Sequence, residues 1–330
     1  MLVFCSGIAG CGEKEYLKNF RELCGERGKE VEIHDLGSKI LEIGRKDYPD
    51  LGKYELIKFP DSTVSAWRSA ALESLKAEIQ DDSKVHVLDA HASFWIQNGP
   101  QPAINTSYLK QLNPDLYIQI IDYEPDIHER LQANDELPEG LNLSLEEVVR
   151  WQEVERYTNR ILSNHHQKPF HIIARQHPAE NLYNLIFEPE RPLVYQSFPI
   201  SNLGDEHMEK IQAHVSNLRG VSTVYDPIEI DPADGIDDKT GELINQHTVK
   251  RDEQFIDQSD MVVVYFPEMV YSSGVEYEIN YASKTGKPVW IIKPDSYVGP
   301  FTEYNCDRSF KTSEECIKQL KSADIRRQNT

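Results

Sequence analysis

The chain has 330 residues, enough for two domains of ordinary size, and 39 % of them are hydrophobic, enough to give each domain a core. Its formal net charge of −20 argues against a general grip on nucleic acid, which needs a basic face to displace phosphate counterions, and disfavours anionic membrane surfaces. The five cysteines show irregular spacing and no CxxC pair, which reads as free thiols in a reducing compartment. No basic, apolar leader and no membrane-length run is evident, so the expected location is the cytoplasm.

In chain order, residues 1–10 predict a short apolar strand ending in glycines, and 13–28 a helix closed by Gly28. Strands are expected at 29–37, at 84–95 with Asp89 near the end, at 114–122 and at 169–175, with a long amphipathic helix over 63–82. Pro189 and Pro192 break this rhythm. A second series then begins: strand 192–200, helix 205–218, strand 221–230, helix 249–259, strand 260–267, helix 274–286 and strand 288–294. Strands alternating with helices imply an α/β chain of two doubly wound parallel-sheet domains, 1–188 and 192–330, with the boundary near residue 190.

Gly7, Gly10 and Gly12 lie between the first strand and the first helix, the context of a phosphate-binding loop. Their spacing resembles that of adenylate-kinase-like P-loop kinases, and the resemblance extends loosely over residues 1–188. It implies nucleotide binding by Gly7, Gly10, Gly12, Lys14 and the strand-end Asp89, with His91 beyond it and Arg130 at the start of a lid. ATP and Mg²⁺ are the ligands so implied. Glu13 occupies the lysine position of the loop and Glu15 the magnesium-binding hydroxyl position. A carboxylate at the first repels phosphate and the second removes a Mg²⁺ ligand, so a degenerate domain that transfers no phosphoryl group is expected. Lys14 stands about 100° around the helix axis from residue 13.

In the second half, Asp260–Pro267 reads as a strand running into a loop, where doubly wound sheets bind ligands. Ser272, Ser273 and Gly274 then open a helix, whose N–H groups and hydroxyls suit a phosphate. Glu276 and Glu278 are two apart and face different sides, so one is expected in the site and the other in solvent. Asp252 at a neighbouring loop, and Tyr195 and Ser197 at a strand end, are expected to converge on the same place.

Arg251-Asp252, Ser259-Asp260 with its valine-rich strand, Ser272-x-Gly274-Val275-x-x-Glu278 and Gly286-Lys287-Pro288 together resemble the nucleoside 2-deoxyribosyltransferase superfamily. The likeness covers roughly residues 192–295 and is nearest to the 2′-deoxynucleoside 5′-phosphate N-hydrolases. It implies a flavodoxin/Rossmann-like fold and assigns roles. Glu278 is the nucleophile on the anomeric carbon, Asp252 protonates or orients the leaving base, Tyr195 holds the nucleophile, and Ser272 binds the 5′-phosphate. It also implies a nucleoside or nucleotide as partner, a homo-oligomer (a dimer), and no cofactor for the glycosidic step. Two carboxyl groups, one ionised and one carrying a proton, suit a retaining glycosyl transfer.

His165, His166, His171 and His177 span a loop and a strand with no metal-ligand spacing, so no metal site is expected. Trp67, Trp95 and Trp151 read as core or lid packing, and the acidic run 226–242 as a mobile loop beside the site. The expected function is cleavage or transfer at the N-glycosidic bond of a nucleoside or its 5′-monophosphate. Its rivals are a nucleotide sensor without turnover and a nucleotide kinase fused to a base-removing domain.

Overall fold

The computed structural model describes residues 1–79, 83–96, 99–134, 142–200, 204–230, 241–268, 270–293 and 299–322. The first unit, Met1–Arg175, is built on five parallel strands, the three inner ones buried along their whole length. Its elements are β1 (Leu2–Ser6), α1 (Glu13–Glu26), β2 (Val31–Asp35), α2 (Leu36–Asp47), α3 (Asp61–Glu78), β3 (Val85–Asp89), β4 (Ser93–Ile96), β5 (Gly99–Pro102), α4 (Thr106–Leu112), β6 (Leu116–Ile121), α5 (Glu124–Gln132), α6 (Leu145–His166) and β7 (Phe170–Ala174). The sheet order is β2-β3-β1-β6-β7, all parallel, with α1, α2 and α6 packed on it. Local chemistry sets the helix starts. Asp35 accepts from Ser38 N to cap α2 (2.9 Å), and Ser144 with Glu147 forms a reciprocal box at α6.

The second unit, Gln176–Thr330, contains α7 (Ala179–Phe187), β8 (Leu193–Ser197), α8 (Asp205–Arg219), β9 (Thr223–Tyr225), α9 (Gly241–Gln258), β10 (Met261–Tyr265), α10 (Ser273–Lys284), β11 (Val289–Ile292), α11 (Pro300–Tyr304), β12 (Arg308–Phe310) and α12 (Ser313–Ser322). Its parallel sheet runs β12-β11-β10-β8-β9, so the order reverses between β8 and β10. That reversal opens a crevice at the carboxyl ends of β8 and β10. The two units meet at 175/176 rather than near 190. α7 belongs to the second sheet because Asn181 donates to the carbonyl of Val224 (2.9 Å) and Asn184 to Thr223 Oγ1 (3.1 Å).

Each sheet buries its own apolar cluster: Phe4, Leu72, Leu88 and Tyr117 in the first, Val194, Val215, Val263 and Trp290 in the second. A fully buried side chain of this size contributes about 1.5–3 kcal/mol. Trp67, Trp95 and Trp151 are all buried. Cys5, Cys11, Cys24 and Cys316 are buried free thiols and Cys306 is partly exposed.

Several elements differ from the sequence expectations, among them the 22-residue α6, which ends in His165 and His166 where a loop is expected. The apolar run 84–95 is two strands: β3 stops at Asp89, and β4 pairs antiparallel with β5. The strand expected at 221–230 is only β9, because Pro227 starts a short 3-10 turn over Pro227–Glu229. β12 has three residues, too few for a period-2 signal. Most of the acidic run 226–242 lies outside the described residues. Among the described residues no helix is long and apolar enough to cross a membrane.

Candidate functional site

β8 ends with Tyr195 and Ser197, which sit two apart and so share one face of the sheet. Both reach the second turn of α10. Tyr195 Oη donates to Glu278 Oε1 (2.8 Å) and Ser197 Oγ to Glu278 Oε2 (2.5 Å). The pairing spans 83 positions of sequence and follows from placing β8 beside β10, which feeds α10. Each carboxylate oxygen therefore has a fixed donor, and the group is oriented at the crevice where the strand order reverses.

Asp252 lies in the last turns of α9, partly buried, with its Oδ1 3.5 Å from the buried Arg251 guanidinium. Burial, and next the charge of Asp252, push the Glu278 carboxyl well above the usual carboxylate range, against the lowering effect of its two hydroxyl donors. Tyr195 is fully buried, and burial followed by the charges of Asp252 and Glu278 raises its pKa, so the phenol stays a donor. A proton shared between two nearby carboxyl groups is the arrangement that separates an acid from a nucleophile.

Glu276 meets different partners. Thr302 Oγ1 donates to its Oε1 (2.7 Å), tying α10 to α11 instead of leaving the carboxylate in solvent. Tyr277 donates to Glu253, and Tyr281 to Asp257 (3.0 Å), so two tyrosines of α10 hold α9 alongside. This contact fixes the helix that carries Asp252. Ser272 caps α10 by accepting from Val275 N (3.4 Å), while Ser273 and Gly274 are exposed at the same end. A Cβ at Gly274 would meet only Ser272 Oγ, at 3.8 Å, so that end of the helix is open.

In the first unit the loop after β1 turns through Gly10 and Gly12, both with positive φ (85° and 83°). A Cβ at Gly12 would come within 2.4 Å of Arg175 Nε, so the guanidinium lies directly on the loop. Arg175 binds Glu15 (2.5 Å) and Asp122 (3.5 Å), and Arg130 also pairs with Asp122. The Gly7 carbonyl meets His91 Nδ1. Glu13 is buried and accepts from Cys11 Sγ (3.2 Å). Lys14 reaches Asp35 (2.5 Å). Asp89 is buried beneath, and burial, then Glu13 and Asp35, raise its carboxyl above the usual range. The side chains at this loop are thus engaged with one another, with acids where a phosphate site needs cations.

Sequence reasoning placed Ser197 at the strand end without assigning it the second Glu278 oxygen, and it missed Arg175 altogether. Glu15 and Arg175 are 160 positions apart, and nothing local marks the arginine. Among the described residues, three or more side chains of metal-ligand type converge only at Glu32, His34 and His86, outside both sites.

No protein-family model matches the chain, and no curated protein matches it. Solved structures similar to parts of it include a 2-deoxyribosyltransferase from the psychrotolerant bacterium Bacillus psychrosaccharolyticus, at 18 % identity over 38 % of this chain and 94 % of that one, TM-score 0.33. A conserved protein from Enterococcus faecalis V583 is 18 % identical over 39 % of this chain and 96 % of its own, TM-score 0.31. A shikimate kinase from Bacteroides thetaiotaomicron is 11 % identical over 57 % of this chain and 97 % of its own, TM-score 0.38.

Proposed function

We propose that the second unit is an enzyme that cleaves or transfers the N-glycosidic bond of a nucleoside or nucleoside 5′-monophosphate. The observation that carries this reading is the Glu278 carboxyl group, held at both oxygens by Tyr195 and Ser197, its pKa raised by burial and then by the charge of Asp252. In the proposed reaction, Glu278 attacks the anomeric carbon and the bond to the base breaks, leaving a glycosyl ester. The proton that Glu278 holds at rest passes to Asp252 as Glu278 ionises for this attack, and Asp252 delivers it to the departing base nitrogen. Water or a second base then attacks the same carbon, gives its proton to Asp252 and frees Glu278. No cofactor enters this scheme. Ser272, Ser273 and Gly274 would hold a 5′-phosphate at the start of α10, and a homodimer in the cytoplasm is the proposed working form.

For the first unit we propose a degenerate phosphate-binding loop without phosphoryl transfer, since Glu13 and Glu15 stand where Lys and Ser/Thr are needed. Incubating the full chain with a panel of nucleosides and 5′-monophosphates, and resolving free base by chromatography, tests the main reading. Release of free base supports it; binding without release favours a sensor. Magnesium-dependent phosphorylation of a nucleotide by the unmodified chain would overturn the view of the first unit.

A further inference from the structure

We propose that the first unit carries a zinc site formed by Glu32, His34 and His86, which fastens the edge strand β2 to its neighbour β3. The inference is independent of the glycosidic reading and involves neither of the sites above. Glu32 and His34 alternate on β2, so they share a face. The parallel register sets Glu32 opposite His86 on β3, which puts His86 on that same face. One ligand atom from each of the three lies within 4.8 Å of the other two. His34 Nε2 is 3.0 Å from His86 Nδ1, and His86 Nδ1 is 3.8 Å from Glu32 Oε2.

Those distances suit a common ion. Two nitrogens each about 2.0–2.1 Å from zinc and roughly 3.0–3.4 Å apart subtend angles of about 90–110°. The His34–His86 edge already fits a tetrahedral site, and the half-exposed Glu32 has to close in by about half an ångström or more. The rings are buried (6 % and 2 % exposed), and zinc takes imidazole in its neutral form. Glu32 is half exposed, so a water has access to the fourth position. Two imidazoles and one carboxylate form a donor set that zinc accepts.

The surroundings repeat the pattern of a metal site. His34 Nδ1, the nitrogen facing away from His86, looks at Glu78 Oε2 at 3.9 Å, and Lys39 holds the other Glu78 oxygen (3.0 Å). A shift of about an ångström would bring Glu78 into the hydrogen bond by which a carboxylate behind a ligating imidazole fixes its tautomer. The alternative is a plain imidazole–imidazole hydrogen bond, in which one ring donates to the other. That bond uses one lone pair and leaves Glu32 to the solvent; a divalent cation engages both lone pairs and the carboxylate together. The three ligands bridge two strands, which is a structural role: Glu32 and His86 are register partners near the amino ends of β2 and β3, and His34 stands one residue before Asp35 on β2.

The test uses the full chain, stripped with EDTA and titrated with zinc chloride in metal-free buffer. We expect one zinc per chain by plasma mass spectrometry and a raised melting temperature on addition. His34→Ala and His86→Ala should each weaken zinc binding at least about a hundredfold, and Glu78→Gln about tenfold. Glu32→Gln alters a half-exposed side chain, keeps the fold testable, and should weaken binding at least about tenfold. Cobalt(II) substituted for zinc should show nitrogen and oxygen ligation without sulfur-to-metal charge transfer. The proposal fails if no zinc is retained, if Glu32→Gln and the histidine variants bind it like the unmodified protein, or if cobalt reports a thiolate ligand from one of the cysteines.

Discussion

Glu276 and Glu278 sit two positions apart on one helix and have separate tasks, and variants separate them. Under the proposed reaction, Glu278→Ala should lower base release at least about a thousandfold, since the proposed covalent nucleophile is lost. Glu276→Ala should keep turnover within about tenfold and lower the melting temperature, since it frees Thr302 of its acceptor. Chromatographic assay of both variants decides; activity lost with Glu276→Ala and kept with Glu278→Ala would assign the chemistry to the wrong carboxylate. The raised Glu278 group also links activity to stability. An acid whose folded pKa exceeds its unfolded value binds extra protons in the native state, so its ionisation costs stability as pH climbs from about 4.5 through the raised value. Glu278→Gln removes that cost while leaving an acceptor for Tyr195. We expect it to be inactive, to melt at least about 2 °C higher than the unmodified protein near pH 8, and to lose most of that advantage near pH 5. A melting gain independent of pH, measured by calorimetry, would contradict the assignment.

At the scale of elements, α10 has a start that caps and a flank that clamps. If Ser272 to Gly274 hold a phosphate, Ser272→Ala raises KM for a nucleoside 5′-monophosphate by about tenfold and leaves the matching nucleoside nearly unchanged. If Ser272 only caps the helix, both substrates lose equally and the melting temperature falls by an amount matching about 1 kcal/mol. Steady-state kinetics on the pair of substrates tells these apart. How far these elements could be read from sequence depended on period and length. β8, β10 and α10 show unbroken apolar or amphipathic patterns, and the spacing from Ser272 to Glu278 marks the turn that joins them. The three-residue β12 carries no pattern, and β4 follows β3 after only Ala90, His91 and Ala92, so only pairing with β5 reveals it. Contacts set by strand order were equally hidden. Neither the Ser197 bond to Glu278, nor Glu276 to Thr302, nor the meeting of His34 with His86 across 52 positions has a local sequence signal.

Across the whole molecule the net charge of −20 works against an anionic substrate at long range. Screening shortens that reach to about 8 Å at physiological ionic strength. kcat/KM for a nucleoside 5′-monophosphate should therefore rise about two- to tenfold as salt increases from roughly 0.01 to 0.15 M, while an uncharged nucleoside stays flat. A fall with salt would mean that a local cationic pocket dominates capture. The placement of the cysteines has a practical consequence as well. Cys5, Cys11 and Cys24 are enclosed in the first unit and Cys316 in the second, while Cys306 is partly exposed. Burial raises Cys24 to about 11 and Cys316 to about 12, so these thiols stay protonated and unreactive until their surroundings open. A thiol-alkylating reagent should modify Cys306 first and the others only through opening, which makes each unit its own clock. A ligand present at about a hundred times its Kd slows the opening of the unit that binds it by about a hundredfold. Peptide-resolved labelling with a nucleotide present should protect Cys316 and leave Cys5 and Cys24 at their original rates; protection of Cys5 and Cys24 alone would place the nucleotide at the glycine loop instead.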